Sequence, residues 1–139
     1  MKDEAKQRIR ESFDAQSMMA TLGAQLTGIA TGEVIITAPV LPGSRQQQGY
    51  GHAGLTFSIG DSAAGYAALT TIPENMEVLT AEMKINLLAP AGGDFLRATG
   101  RVIKPGRRLV VVAADVHAVT GDEDVLIAVL QGTMVPVPR

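Results

Sequence analysis

The sequence predicts an α+β domain in which an antiparallel sheet covers one long, nearly all-apolar helix. Residues 52–70, HAGLTFSIGDSAAGYAALT, form a run of helical length with scarcely a polar side, a pattern that fits a helix enclosed by other elements. Beyond Pro73 the apolar period drops to two in the first two of four strand-like segments, the signature of strands with one covered face. A length of 139 residues suits a single domain spanning 1–139 with a short N-terminal helix.

The elements follow in order. Lys2–Ala20 reads as an amphipathic helix with Ile9, Phe13 and Met18 or Met19 near one stripe, and Gly23 is placed to end it. Two short strands are expected at Ala24–Ala30 and Glu33–Val40, joined at Thr31-Gly32, with β-branched residues at Val34–Thr37. Pro39 and Pro42 then break pairing, and Leu41–Gly51 (LPGSRQQQGYG) is a polar loop. The apolar helix, His52–Thr70, is rich in Ser, Gly and Ala, which let a helix lie close to its cover. In EVLTAEMKINLLAP, Leu79, Ala81, Met83, Ile85 and Leu87 alternate with Thr80, Glu82, Lys84 and Asn86. Phe95–Lys104 alternates likewise, with Leu96, Ala98 and Val102 against Arg97, Thr99 and Arg101. RRLVVVAADVHAV predicts a strand with apolar contact on both faces, and Val125–Val135 closes the chain. Turn signals lie at Pro90–Asp94, Lys104–Gly106 and Gly121–Glu123, so the last four strands are expected to form a meander.

Composition narrows the function. The formal net charge is −2 with no basic block, which argues against nucleic acid as a partner. There is no cysteine, hence no disulfide framework and no thiolate chemistry. The two histidines, His52 and His117, make a metal site an unfavoured reading. The N-terminus is charged throughout and lacks the apolar core of a signal peptide. No run approaches the ~18 apolar residues of a membrane span, so a cytoplasmic protein without a membrane partner is expected. Hydrophobic residues at 46% against 19% charged suit a chain that buries surface by self-association.

Asp61 is the anomaly. It sits mid-helix, and Gly49–Leu69 contains neither Lys nor Arg. A buried unpaired carboxylate costs several kcal/mol even after relaxation. The plain explanations are a cap on a second helical segment or an ion pair with a distant Arg. The alternative is a carboxylate lining a pocket. Gly54, Phe57, Ser58, Asp61 and Gly65 share one helical face that is small apart from Phe57, leaving space beside the acid, while Leu55, Ile59 and Tyr66 face the sheet.

The order of elements, with His52-Ala53-Gly54 opening the helix and Asp61 within it, resembles the hotdog-fold acyl-CoA thioesterases of the phenylacetate-degradation type. That family places an Asn or Gln in the loop, then His-Gly-Gly, then an acid inside the helix. Here Gln46 precedes Asp61 by fifteen residues and His52 precedes it by nine. LTAEMKINLLAPAGGD is similar to the family's next strand, with Thr80 where a Ser or Thr often assists, and KPGRRLVV to the turn and strand after it. The likeness runs from Leu22 to Val135. Ala53 replaces the commoner Gly, and Gln46 stands where many members carry Asn.

The resemblance implies a curved antiparallel sheet wrapped around the central helix, a homodimer or homotetramer with sites between subunits, and hydrolysis of an acyl- or aryl-CoA without any cofactor beyond the coenzyme A of the substrate. It implies Asp61 as nucleophile or general base. Backbone N–H groups of His52, Ala53 or Gly54 at the helix start would donate to the thioester oxygen, and Gln46 would add an amide. His52 is better placed to orient the loop than to act as base. Arg45, Lys104, Arg107 and Arg108 are candidates for the phosphates of coenzyme A. His117 reads as a surface residue. The rival is a non-catalytic acyl-CoA-binding hotdog module, against which the lack of a basic DNA-binding extension counts. A hotdog hydratase is disfavoured because His52 precedes the acid rather than following it.

Overall fold

The computed structural model describes all residues 1–139. Two N-terminal helices, α1 (Asp3–Ala15) and α2 (Ser17–Thr21), precede strands β1 (Gln25–Ala30) and β2 (Glu33–Ala38). A 3-10 turn at Pro42–Ser44 leads to helix α3 (Ala53–Leu69), followed by β3 (Met76–Leu87), β4 (Phe95–Lys104), β5 (Val110–Thr120) and β6 (Glu123–Pro138). No helix is long and apolar enough to cross a membrane.

The strands form one antiparallel sheet in the order β1-β2-β4-β5-β6-β3. The expected four-strand meander is therefore only β4–β5–β6; β3 pairs with β6 at the far edge. Period-two alternation identifies a strand but carries no information about its neighbour, which is why the sequence missed the crossover.

Helix α3 lies across one face of the sheet. Leu55, Ile59, Ala63, Ala64 and Ala68 are buried beneath Val34, Ile36, Leu96, Ala98, Val112 and Leu130 in one continuous core. Burying each large aliphatic side chain stabilises the fold by roughly 1.5–3 kcal/mol. Small residues bring the helix close: a Cβ on Gly100 of β4 would collide with the Ala63 backbone. The predicted open side of α3, from Gly54 to Gly65, is exposed or half-buried. Of the predicted packing side, Leu55, Ile59 and Tyr66 are all buried, but Tyr66, expected to face the sheet, reaches the N-terminal helix, where its hydroxyl meets Ser12 and Gln16.

Two expectations need correction. The N-terminal helix is broken at Gln16, whose extended backbone (φ −85°, ψ 91°) separates α1 from α2; its side chain bonds to α3 instead. In β3 the simple alternation fails at a β-bulge between Thr80 and Glu82. An extra residue turns both Ala81 and Glu82 outward. Leu79 is 61% exposed, whereas Val78, Met83 and Ile85 pack on the core. The bulge thus places Thr80, expected opposite the apolar face, toward α3.

Candidate active site

The start of α3 is fixed by its own side chain and by the loops around it. His52 is the N-cap: its Nδ1 accepts the Gly54 N–H at 2.8 Å, so the imidazole proton sits on Nε2. The His52 N–H donates to the Ser44 carbonyl at 2.8 Å and the Gly51 N–H to the Ala91 carbonyl at 2.7 Å. The N–H groups of His52 and Gly54 are therefore both taken. That of Ala53, between them, has no partner in the chain and stands at the positive end of the helix dipole, at an exposed position. Beside it lies a cavity of about 340 Å³ bounded by Gln46, Tyr50, His52, Ala53, Thr56 and Leu87. Gln46 is held in its own loop: its Oε1 accepts the Gln48 N–H, and its Nε2 donates to Gln48 Oε1 at 3.1 Å.

Asp61 occupies a second cavity of about 190 Å³, on the same helix face. Its Oδ1 accepts the Thr80 hydroxyl at 2.8 Å, and no ion pair involves it. Helix α3 runs unbroken through it, so it neither caps a second segment nor pairs with an Arg. Burial raises its pKa above the usual carboxylate range, and the Thr80 hydroxyl opposes the shift. A carboxylate with a raised pKa, one polar neighbour and an adjoining cavity is a candidate base or nucleophile.

The two halves are not adjacent. Eight residues separate Ala53 from Asp61, or about 12 Å along a helix at 1.5 Å per residue. One carbonyl cannot sit within hydrogen-bond reach of both in the same chain.

The basic candidates divide in the same way. Arg45, whose guanidinium donates to the Val40 carbonyl at 3.1 Å, belongs to the loop before α3. Lys104, Arg107 and Arg108 lie around the β4–β5 turn, where Arg107 adjoins Ile72 and Pro73, just past the far end of α3. His117 is only partly exposed; it pairs with Arg97 across β4–β5 and its Nδ1 is buried without a partner. No group of three His, Asp or Glu side chains is arranged to hold a metal ion.

The sequence reading missed a polar cluster in the lining of the Asp61 cavity. Gln16 Nε2 donates to the Tyr66 oxygen at 3.0 Å, Ser12 Oγ lies 3.2 Å from the same oxygen, and Ser62 Oγ donates to Gln16 Oε1 at 3.1 Å. Its signal was present: Ser12 and Gln16 continue the buried stripe of Ile9 and Phe13 at helical spacing.

Residues 48–125, more than half of the chain and including α3, the Thr80 strand and the β4–β5 turn, match the thioesterase superfamily. The chain belongs to that superfamily. A thioesterase family protein from Silicibacter pomeroyi superposes with a TM-score of 0.94 at 38% identity, covering 97% of this chain and 99% of that one. The PaaI protein of the phenylacetic acid degradation operon of E. coli superposes at 0.85 with 21% identity over 96% of this chain and 93% of that one, a likeness of fold. A provisionally named esterase of Saccharolobus solfataricus is 40% identical over 84 residues, 60% of this chain. That match spans about half (53%) of the length of the relative. As a superfamily member, the protein has the hotdog architecture, with its six-stranded sheet laid over one long helix.

Proposed function

We propose that this protein hydrolyses the thioester of an acyl- or aryl-CoA, of the kind handled by phenylacetate-type thioesterases, at sites shared between two copies of the chain. The observation that carries the reading is the division of the site: an uncompensated carboxylate at Asp61 and a free N–H at Ala53, about 12 Å apart on one helix. A twofold axis that sets the two copies of α3 antiparallel would bring Asp61 of one copy opposite the helix start of the other, twice over. The same operation carries the Lys104–Arg108 turn of one copy toward the Arg45 loop of the other, grouping cations for the phosphates of coenzyme A.

In this reading the Ala53 N–H donates to the thioester oxygen as negative charge builds on it, and Asp61 works on the carbonyl carbon. As a base, Asp61 takes a proton from water while the water oxygen bonds to carbon; the C–S bond then breaks and the coenzyme A thiolate recovers the proton. As a nucleophile, Asp61 forms a mixed anhydride while the C–S bond breaks and coenzyme A leaves as its thiolate; water then cleaves the anhydride to the acid and free Asp61, and the proton it gives up goes to the thiolate. Gln46 holds the water or the thioester from the loop, after releasing Gln48. Thr80 positions Asp61, and His52 keeps the helix start in shape.

Thiol release from a panel of aliphatic and aromatic acyl-CoAs tests the reading. Asp61→Asn is expected to lower kcat by about 10²–10⁴ in a protein that remains folded. Full turnover in that variant would refute the assignment of Asp61. Saturable acyl-CoA binding by the wild type with no thiol released would favour the non-catalytic binding module instead.

A further inference from the structure

Part of the wall of the Asp61 cavity is built by a segment of the chain outside the family match. Residues 48–125 match the superfamily, but Ser12 and Gln16, which reach the cavity, come from the N-terminal helices. Gln16 reaches it because the chain leaves the helix there: the extended backbone between α1 and α2 turns the amide toward α3. Its two ends then bridge Tyr66 and Ser62, one turn of α3 apart. Tyr66 is buried, its hydroxyl held by Gln16 and Ser12 and its ring 6.2 Å from that of Phe13 in a tilted pair. A side chain so fixed is a wall, because moving it breaks two hydrogen bonds and an aromatic contact together.

We propose that Tyr66, pinned by Ser12 and Gln16, is the end stop of the acyl site, so that the N-terminal helices set the largest acyl group the protein accepts. The inference rests on the hydrolase reading above and adds a substrate class to it: compact, uncharged acyl groups. Size follows from the space left. The cavity that Asp61 and Tyr66 line together holds about 190 Å³, and a cavity of roughly 150 Å³ holds one benzene ring. Charge follows from the lining. Asp61 and Glu77 are its ionisable acids, and Glu77 is already paired with Arg139 at 2.8 Å. An acyl group ending in a carboxylate would meet Asp61 with no free cation to offset the repulsion. Val78, Leu69 and Met134 complete the lining with apolar surface.

The test is kcat/KM for thiol release across butyryl-, hexanoyl-, octanoyl-, decanoyl- and succinyl-CoA. The wild type is expected to prefer hexanoyl or shorter, with at least a tenfold fall by decanoyl and a comparable penalty for succinyl against butyryl, each about one misfit in a shaped pocket. Two variants move the wall in opposite senses. Tyr66→Ala opens the stop and is expected to raise the decanoyl-to-butyryl ratio at least tenfold. Gly65→Ala narrows the site: its Cβ would stand 3.6 Å from Met134 Cε, an ordinary contact, and Ala suits a helix better than Gly. It is expected to lower the octanoyl-to-butyryl ratio several-fold, and it keeps the test decisive if Tyr66→Ala fails to fold. Equal rates on decanoyl and hexanoyl in the wild type, or ratios unmoved by the variants that fold, would overturn the stop and leave the hydrolase reading intact. No thiol release by the wild type from any of these thioesters would overturn the stop, and none from benzoyl- or phenylacetyl-CoA as well would overturn the hydrolase reading with it.

Discussion

Burial works against the charge of Asp61, and Thr80 is its one hydrogen-bond partner. Because the folded protein holds the Asp61 proton more tightly than the unfolded chain does, this group favours folding fully below about pH 3.9, the ordinary Asp value. That contribution is lost as pH rises through the raised folded pKa. At neutral pH, Asp61→Asn is therefore expected to melt at a higher temperature than the wild type, and the gap should shrink as pH falls through that range. Melting curves from pH 3 to pH 8 measure it, and a variant less stable at pH 7 would contradict the burial argument. Thr80 gives a second prediction. Thr80→Val removes the hydroxyl that stabilises the carboxylate, so the acidic limb of kcat/KM should move to higher pH; an unmoved limb would mean that Thr80 does not reach the ionising group. Asp61 was legible in the sequence because its surroundings lacked a cation. The Thr80 contact rested there on resemblance alone, since alternation turned Thr80 away from the apolar face until the bulge was seen.

Helix α3 shows what an element adds. Its length, its covered side and its open side follow from the order of apolar and small residues, and its start was readable from the loop that ends at His52. Which backbone donor is free was not readable, because that depends on the His52 ring turning back to cap Gly54. Ala53 is the first helical residue, where proline is well tolerated because its missing N–H would be unpaired anyway. The preceding His52 is already extended, at φ −62° and ψ 146°, as a residue before proline prefers. Ala53→Pro should therefore delete the proposed oxyanion donor and leave the helix intact. Loss of one such donor costs about 10²–10³ in kcat, with the melting temperature nearly unchanged. Retained kcat would place the oxyanion elsewhere. The broken N-terminal helix was missed because Gln16 is an adequate helix former; its two bonds to α3 offset what the broken helix loses.

The whole molecule leaves β3 as a twelve-residue edge strand paired on one side only, with its own Leu79 exposed. A free edge of that length is a surface for a second chain. If the site is shared as proposed, two inactive variants should complement each other. In a one-to-one mixture of Asp61→Asn and Ala53→Pro chains, random reassortment makes half of the dimers mixed. Each mixed dimer then carries one intact site of two, so about a quarter of wild-type activity should return after subunit exchange. No recovery despite demonstrated exchange would place both groups in one chain.

The order of amino acids alone settled the strands and the long helix, most of the covered face of α3 and the carboxylate that has no local partner, because each depends on residues near one another in the chain. Packing settled the rest: that β3 crosses to the edge beside β6, that Thr80 meets Asp61 and that Gln16 and Tyr66 close the cavity. Those last two contacts join residues 19 and 50 positions apart, and local periodicity carries no record of which distant segment will pack against which.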